Sequence, residues 1–235
     1  MKTLALECSA KSAGCCVTED GRLLCENFVN LSLTHSQTLM PMVDSMLNNA
    51  QIGIGEIDRF AVAVGPGSFT GLRIGVAAVK GMALAANRPC VAVPTLLAMA
   101  TGAMDVKNAL LCPVMDARRE QVYTTLFATD GERLTQVGED AALSMEELYD
   151  RLSKALTKKN TPRHILLIGD GADLCYTYLK DRLPALVAGE TLRWQRAAGV
   201  ALAADHLPDC SPGELNPVYL RLPQAERELK GQDIG

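Results

Sequence analysis

The sequence predicts an α/β protein made of two similar lobes in tandem, each with a mixed β-sheet and flanking helices. In each half the hydrophobic pattern indicates three short strands, a helix, a strand and a second helix. A hairpin signal, Asp-Gly between two strand-like runs, occurs at Asp20-Gly21 and again at Asp130-Gly131, 110 residues further on. Because this spacing is close to half of the 235 residues, we interpret the chain as an internal repeat of one supersecondary unit.

The first half gives its elements in a clear order. Three strand-like runs are followed by a helix with a broad apolar stripe, a buried strand, a glycine corner and a helix rich in Ala and Gly. We predict strands at 2–8, 13–19, 22–29, 59–64 and 90–93, helices at 36–50 and 70–86, and a short helix after Pro94.

The second half repeats this order after a junction at 105–108. A capping box that begins at Ser144 marks the start of its first helix. The pattern indicates a first lobe over 1–106, a second lobe over 107–212 and a C-terminal tail over 213–235, whose return to the first lobe the sequence leaves open. We predict strands at 110–116, 121–128, 133–138 and 165–168, and helices at 144–157, 172–180 and 195–206.

Composition argues against several classes of protein. A net charge of −4 and a pI near 5.5 speak against a general nucleic-acid or anionic-membrane surface on this chain. The apolar 74–86 segment is interrupted by Lys80, and the residues after Met1 do not resemble a leader peptide. The eight cysteines form no C-x-x-C pair, so we interpret them as reduced and buried. These features predict a cytoplasmic protein with no membrane segment and no zinc site.

The glycine corner at 65–75 connects a buried strand to the small-residue helix. It is not a dinucleotide fingerprint, because Gly71 lies one residue too far from Gly67, and it is not a P-loop, because Gly-Lys-Ser/Thr is missing. A glycine turn at a helix N-terminus can also hold a phosphate outside these two motifs. A strand–helix corner that binds no ligand is the alternative, and the sequence leaves it open. The helix carries small or apolar residues almost all the way round, which predicts cover on two sides, one of them from a neighbouring molecule.

The repeat of strand meanders and helices resembles the actin-like superfamily, whose lobes have an RNase H-like fold. This resemblance implies an ATP cleft between the lobes, with phosphate held by the first hairpin of each lobe and adenosine held by a glycine turn. Three positions depart from the pattern, since Glu7 replaces the usual Asp, and Arg118 and Arg119 stand where glycine is expected. We therefore predict a vestigial nucleotide cleft, with pairing of Glu7, Asp116 and Arg118 as the alternative. The cleft residues are Glu7, Ser9, Asp116, Arg118, Gly169 and Gly171.

Four motifs spread over the chain carry a closer resemblance. They are His35-Ser36-Gln37-Thr38-Leu39-Met40-Pro41, Gly65-Pro66-Gly67-Ser68-Phe69-Thr70-Gly71-Leu72-Arg73-Ile74-Gly75, Asp116-Ala117-Arg118 and Pro217-Val218-Tyr219-Leu220-Arg221. Together they resemble the TsaB (YeaZ) family of bacterial tRNA threonylcarbamoyladenosine biosynthesis proteins, whose length also fits.

This resemblance implies a non-catalytic subunit. Members of the family form a heterodimer with the catalytic paralogue TsaD and act with the ATPase TsaE. The complex transfers threonylcarbamoyl from threonylcarbamoyl-adenylate to N6 of the adenosine beside the anticodon of ANN-reading tRNAs. TsaD holds its metal through an H-x-x-x-H motif, whereas His35 is followed four residues later by Leu39. The resemblance thus implies no metal or cofactor on this chain alone, with ATP and Mg²⁺ confined to the complex and tRNA contacted only through it.

The resemblance also implies a helix bundle between the first lobes of the two proteins. We predict that the methionine-rich face of the first helix and the small-residue face of the second form it, because Met adapts to a partner and Gly and Ala allow close approach. Such a patch also predicts a homodimer when the partner is absent. The predicted contact residues are Leu39, Met42, Val43, Met46, Gly71, Gly75, Ala78 and Met82.

Two functions of other classes stay open. A stand-alone actin-like ATPase or small-molecule kinase requires the cleft residues to hold Mg-ATP, and a purely homodimeric binding module requires no modification partner. Protease activity is not expected, because Ser68 lacks a G-x-S-x-G setting and His35 alone among the histidines has a suitable site context.

Overall fold

The computed structural model describes residues 1–31, 33–157 and 164–221, so the part of the predicted tail at 222–235 lies outside the described residues. The described residues form two α/β lobes, one after the other along the chain. Mixed sheets with helices on their faces are the architecture that the sequence predicts, and this prediction is confirmed.

The first sheet contains five strands. One helix precedes the fourth strand, one connects the fourth to the fifth, and one follows the fifth. These elements are β1 (Lys2–Glu7), β2 (Ala13–Glu19), β3 (Arg22–Val29), α1 (His35–Ala50), β4 (Arg59–Gly65), α2 (Phe69–Ala86), β5 (Cys90–Pro94) and α3 (Thr95–Thr101). The strands lie in the order β3-β2-β1-β4-β5. β1 pairs antiparallel with β2 and parallel with β4, and β5 is parallel with β4.

The second sheet repeats this pairing. Its elements are β6 (Ala109–Asp116), β7 (Gln121–Thr124), β8 (Phe127–Thr129), β9 (Leu134–Gln136), β10 (Ala141–Ser144), α4 (Met145–Leu156), β11 (His164–Ile168), α5 (Ala172–Leu179), β12 (Ala185–Val187), α6 (Glu190–Arg193) and α7 (Ala197–Ala204). β6 takes the place of β1, since it is antiparallel with β8 and parallel with β11, which pairs in parallel with β12. The internal repeat inferred from the two Asp-Gly turns is therefore present in the sheet topology.

The prediction of a single strand over 121–128 is wrong. The run 121–128 divides into β7 and β8, because the backbone between them leaves the β6 ladder. Leu126 O accepts a hydrogen bond from Val137 N at 2.7 Å, and the Thr125 hydroxyl donates to Gly138 O. β7 pairs with the carboxyl end of β6 and with β10, whereas β8 pairs with the amino end of β6, at Leu110 and Leu111. The short strands β10 and β12 carried too little pattern to be predicted.

The two long helices of the first lobe follow the predicted apolar stripes. Leu39, Val43 and Met46 of α1 recur at steps of four and three and lie in the core of the first lobe. α2 is capped by Ser68, whose side chain accepts a hydrogen bond from Gly71 N at 3.3 Å. Both helices cover the same face of the first sheet.

The two lobes are interlocked by an exchange of helices. α3 follows the first sheet but packs on the second, where Leu96 and Met99 join a cluster with Phe127. α7 follows the second sheet but packs on the other face of the first, against small side chains of β1, β4 and β5. The two helices also contact each other so closely that a Cβ on Gly199 would lie 2.3 Å from Ala98 O. The predicted ranges 1–106 and 107–212 therefore each contain one helix that packs on the other lobe's sheet.

Partly buried ion pairs anchor both ends of α7 to the first sheet. Before the helix, Arg196 bonds to Glu26 of β3 at 2.6 Å, and a carboxylate oxygen of Glu26 also accepts from Ala198 N. After the helix, Asp205 pairs with Arg59, whose Nε donates to the Thr3 hydroxyl at 2.8 Å. Glu26 and Arg59 are each less than a tenth exposed, so removing only the partner would leave a buried charge with fewer contacts.

The chain after α7 stays with the first lobe. Cys210 and Cys90 exchange two backbone hydrogen bonds at 2.9 and 2.7 Å. Leu215 is fully buried in the first lobe's core, and Val218 N donates to Val64 O at 2.7 Å. The described part of the tail thus runs back across the first lobe to the end of β4.

The helix crossing can be tested with a matched pair of glycine substitutions. Gly199→Ala should lower the free energy of unfolding by about 2 kcal/mol, because the added methyl meets the Ala98 carbonyl of the facing helix. Gly81→Ala should raise it by about 0.5–1 kcal/mol, because Gly81 is also helical but has open space around its Cβ position. Urea unfolding followed by circular dichroism measures both. Equal shifts in the two variants would contradict the close crossing of α3 and α7.

Candidate functional site

A polar cleft of about 380 Å³ lies between the lobes, at the carboxyl ends of the central strands β1 and β6. Both hairpin loops, the glycine corner, the turn after β11 and the tail contribute to its wall. The lining residues are Ser9, Ala10, Lys11, Gly67, Ser68, Phe69, Met115, Asp116, Ala117, Arg118, Tyr123, Asp170, Tyr219 and Arg221. Three of the six predicted cleft residues, Ser9, Asp116 and Arg118, are among them.

The glycine corner is a junction of three backbone segments. Gly65 has φ +130°, and a Cβ there would lie 2.1 Å from Val218 O of the tail. A Cβ on Gly67 would lie 2.5 Å from Ser9 O of the β1–β2 loop, which also accepts a hydrogen bond from Ser68 N at 2.7 Å. The corner therefore holds the first hairpin and the tail together, and the contacts of the chain itself account for these two glycines.

Glu7 lies beneath the cleft and is only 1% exposed. Its carboxylate accepts a hydrogen bond from Ser9 N at 2.5 Å. Burial raises the pKa of Glu7 to about 7, an effect that hydrogen bonding from Ser9 opposes and the nearby Asp170 carboxylate reinforces. The alternative in which Glu7, Asp116 and Arg118 pair with one another is met only in part, because Arg118 bonds to Asp116 whereas the Glu7 carboxylate bonds to Ser9 N.

Asp116 and Arg118 form a local pair at the end of β6. Arg118 N donates to one Asp116 carboxylate oxygen at 2.7 Å, and Arg118 Nη1 lies 3.3 Å from the other. The Arg118 side chain is 77% exposed, and its backbone has φ +64°. The residue predicted at a phosphate position thus points its guanidinium along the hairpin at the mouth of the cleft.

The predicted adenosine turn packs on β6. Cβ atoms on Gly169 and Gly171 would lie 2.2 and 3.2 Å from Val114 O, so close packing of two backbones accounts for both glycines. Only the residue between them, Asp170, lines the cleft. Asp170 accepts a hydrogen bond from Gln195 Nε2 at 3.0 Å, and burial raises its pKa.

The structure corrects the choice of partner-contact residues on α1. Leu39, Met42, Val43 and Met46 are all buried in the core of this chain's own first lobe, so their side chains are not available to a partner. The stripe predicted from the apolar period is the stripe that faces the sheet.

The glycines predicted as contacts on α2 need the same correction. A Cβ on Gly71 would lie 2.1 Å from Cys8 O, and one on Gly75 would lie 2.5 Å from Cys8 Sγ, so both face β1. Ala78 and Met82 are half-buried against the same core. The G-x-x-x-G step thus serves an approach of helix to sheet within the chain.

A different face of these two helices is exposed. On α2 it carries Arg73, Ala77, Gly81 and Leu84, which recur at steps of four and three. Leu84 is 68% exposed, and Met40 of the neighbouring α1 is 44% exposed. We call the four α2 residues together with Met40 the outer helix face.

α2 also has the length and composition of a membrane span, the one helix that does among residues 1–31, 33–157 and 164–221. Such a helix alone is weak evidence of a span, because core helices of other proteins pass the same test. Val76, Val79 and Ala83 of α2 pack in the first lobe's core, so the fold itself uses one side of the helix. Within the same described residues, no group of three or more His, Cys, Asp or Glu side chains could hold a metal ion.

Comparison with known proteins decides the family. Residues 30–202 match the model of TsaD, tRNA N6-adenosine threonylcarbamoyltransferase. The chain belongs to the TsaD family. The tRNA threonylcarbamoyladenosine biosynthesis protein TsaB of Bacillus subtilis is 29% identical over 96% of both chains. TsaB of Escherichia coli is 31% identical over 66% of this chain and 67% of its own length.

Among solved structures, YeaZ from Pseudomonas aeruginosa is similar, with a TM-score of 0.75 at 25% identity. It matches over 93% of this chain and 99% of that protein. The resemblance to TsaB and YeaZ within the TsaD family is thereby confirmed, as is the actin-like fold with its two RNase H-like lobes.

Sequence reasoning missed several residues of the cleft, notably Asp170, Tyr219 and Arg221 as lining side chains. A signal for Asp170 was available, because it follows β11 just as Asp116 ends the neighbouring parallel strand β6, and such strand ends meet at one edge of a sheet. The tail residues carried no comparable signal, since their place depends on where the chain returns.

The buried carboxyl gives a pH-dependent stability that can be measured. Glu7 is protonated more easily in the folded state than in the unfolded one, so its contribution to stability is most favourable below its unfolded pKa of about 4.5 and falls as the pH rises to about 7. The difference amounts to at most about 3 kcal/mol. Glu7→Gln should match the parent protein near pH 4.5 and exceed its unfolding free energy at pH 8. Parallel pH profiles in urea unfolding would contradict the burial of a titrating Glu7.

Proposed function

We propose that the chain acts in tRNA threonylcarbamoyladenosine biosynthesis as the non-catalytic partner and activator of TsaD. In this role it forms a heterodimer with TsaD and joins TsaE in a ternary complex. The complex transfers threonylcarbamoyl from threonylcarbamoyl-adenylate to N6 of the adenosine beside the anticodon of ANN-reading tRNAs. Membership of the TsaD family, together with the full-length match to a TsaB protein, supports this role.

The observation that carries the proposal is Gly81 on the outer helix face. A glycine inside a helix costs about 1 kcal/mol relative to alanine. The glycines Gly71 and Gly75 of the same helix are required by contacts within the chain, whereas a Cβ on Gly81 would meet no atom within 4 Å among the described residues outside the adjoining helix backbone. A glycine with no use inside the chain fits a surface that another helix approaches closely.

The rest of the outer helix face fits the same role. Ala77 precedes Gly81 by one turn, and Leu84 follows it with an exposed apolar side chain. Met40 adds a flexible apolar side chain from α1, which lies beside α2. This face is the contact that we assign to TsaD, and to a second copy of the chain when TsaD is absent.

The setting of the histidine at the start of α1 supports a non-catalytic role. The Nε2 atom of His35 lies 2.8 Å from Ala10 O, so the ring ties α1 to the first hairpin. The position four residues later is Leu39, a buried core residue, where a second histidine ligand would be needed. We assign the binding of ATP, Mg²⁺ and tRNA to the complex. We also propose that the chain is cytoplasmic.

A single substitution separates partner binding from folding. Gly81→Leu should weaken binding to TsaD by at least about tenfold, because the side chain blocks close approach of the partner helix. The same change should raise the unfolding free energy of the isolated chain by about 0.5–1 kcal/mol, since Leu favours a helix more than Gly does. Titration calorimetry and urea unfolding measure the two effects.

Lys154→Leu is the matched control. It places the same side chain on an exposed position of α4, in the other lobe, and should leave TsaD binding unchanged. If Gly81→Leu binds TsaD as well as Lys154→Leu does, the outer helix face is not the contact. If the parent chain shows no binding to TsaD at all, the proposed function fails.

A further inference from the structure

The described end of the tail crosses from the first lobe to the second. Its backbone is fixed to the first lobe, because Val218 N donates to Val64 O at 2.7 Å and Val218 O fills the space beside Gly65. The next residues carry two side chains, Tyr219 and Arg221, that line the cleft. We call residues 217–221 the strap.

Tyr219 holds the strap to the first turn of α2. Its ring stacks on Phe69 with centroids 5.0 Å apart, and its hydroxyl accepts a hydrogen bond from Arg73 Nε at 3.1 Å. The Arg73 guanidinium in turn lies 3.8 Å above the Phe69 ring. Three side chains thus form one stack at the mouth of the cleft.

Arg221 holds the strap to the second lobe. Its guanidinium donates to Ala117 O at 3.4 Å and to the side-chain oxygen of Gln121, both in the β6–β7 hairpin. It also lies 5.9 Å from the ring centroid of Tyr123. A single residue, Leu220, separates the contacts of Tyr219 to the first lobe from those of Arg221 to the second, so the strap spans the mouth of the cleft.

Arg73 belongs both to this stack and to the outer helix face. It lies four residues before Ala77 and eight before Gly81, which places all three on one side of α2. A partner that covers this side and offers a carboxylate or carbonyl oxygen competes with the Tyr219 hydroxyl for Arg73 Nε.

We propose that the strap couples the outer helix face to the interlobe cleft, so that a partner which captures Arg73 loosens Tyr219 and opens the cleft mouth. The partner half of this proposal rests on the proposed function, whereas the strap itself concerns the isolated chain. The coupling free energy is reciprocal. A change that loosens the strap must therefore raise the affinity for the partner by the same factor by which the bound partner shifts the strap towards its loosened state.

The first arm of the test uses the isolated full chain. Arg221→Gln removes the guanidinium contacts to the second lobe and should speed amide hydrogen exchange in peptides covering 7–13 and 115–123 by about tenfold. Exchange in β4 and α7 should not change, which shows that the fold is intact. Arg182→Gln is the control, because Arg182 is an exposed arginine that stacks on Tyr178 away from the cleft. Equal exchange in the two variants would overturn the strap.

The second arm adds TsaD. Binding of TsaD should speed exchange at 115–123 in the parent chain. Tyr219→Phe keeps the ring stack but frees Arg73, so it should bind TsaD about two- to tenfold more tightly and show a smaller change in exchange on binding. The coupling would be overturned if TsaD binding changed exchange at 115–123 equally in the parent chain and in Tyr219→Phe, or changed it in neither. If TsaD does not bind the parent chain, the proposed function fails while the first arm still decides the strap.

Discussion

The exchange of α3 and α7 between the lobes is the constraint on which the rest of the structure depends. Each helix follows one sheet and packs on the other, and the two cross where Gly199 meets the Ala98 carbonyl. Because β1 and β6 are both held by this pair, their carboxyl ends face each other across a fixed gap. The cleft exists because the two halves of an internal repeat cannot separate without breaking this crossing.

That geometry explains why polar groups gather between the lobes. Strand ends, hairpin loops and the β11 turn all open at the same place, and Glu7, Asp116 and Asp170 are brought near one another there. The chain satisfies these groups from within, through Ser9 N, Arg118 and Gln195. Its tail then crosses the opening. The exposed side of α2, which also carries Arg73, has a glycine that no contact among the described residues requires. This side of the helix suits an approach by another protein.

The sequence predicted the larger features because they depend on local pattern. Two Asp-Gly turns revealed the repeat, the apolar periods located the long helices, and the motif around Gly65 led to the correct family. Six predicted contact residues were misassigned because a hydrophobic period marks every buried stripe and does not say which neighbour buries it; they are Leu39, Met42, Val43, Met46, Gly71 and Gly75. The contacts at the half-buried Ala78 and Met82 stay a prediction. Gly75 and Gly81 are alike in sequence, and only the space around each separates packing on β1 from an open surface. The roles of α7 and Arg221 depend on contacts between distant parts of the chain, and a local sequence pattern does not predict such contacts.

The central claim is that this chain is a required, non-catalytic part of a tRNA-modifying complex. The most direct measurement is threonylcarbamoyl transfer from threonylcarbamoyl-adenylate to an ANN-reading tRNA by TsaD and TsaE, with and without the chain. We expect that transfer is lost when the chain is omitted, and that the chain alone transfers nothing. Full transfer in its absence, or transfer by the chain alone, would contradict the account.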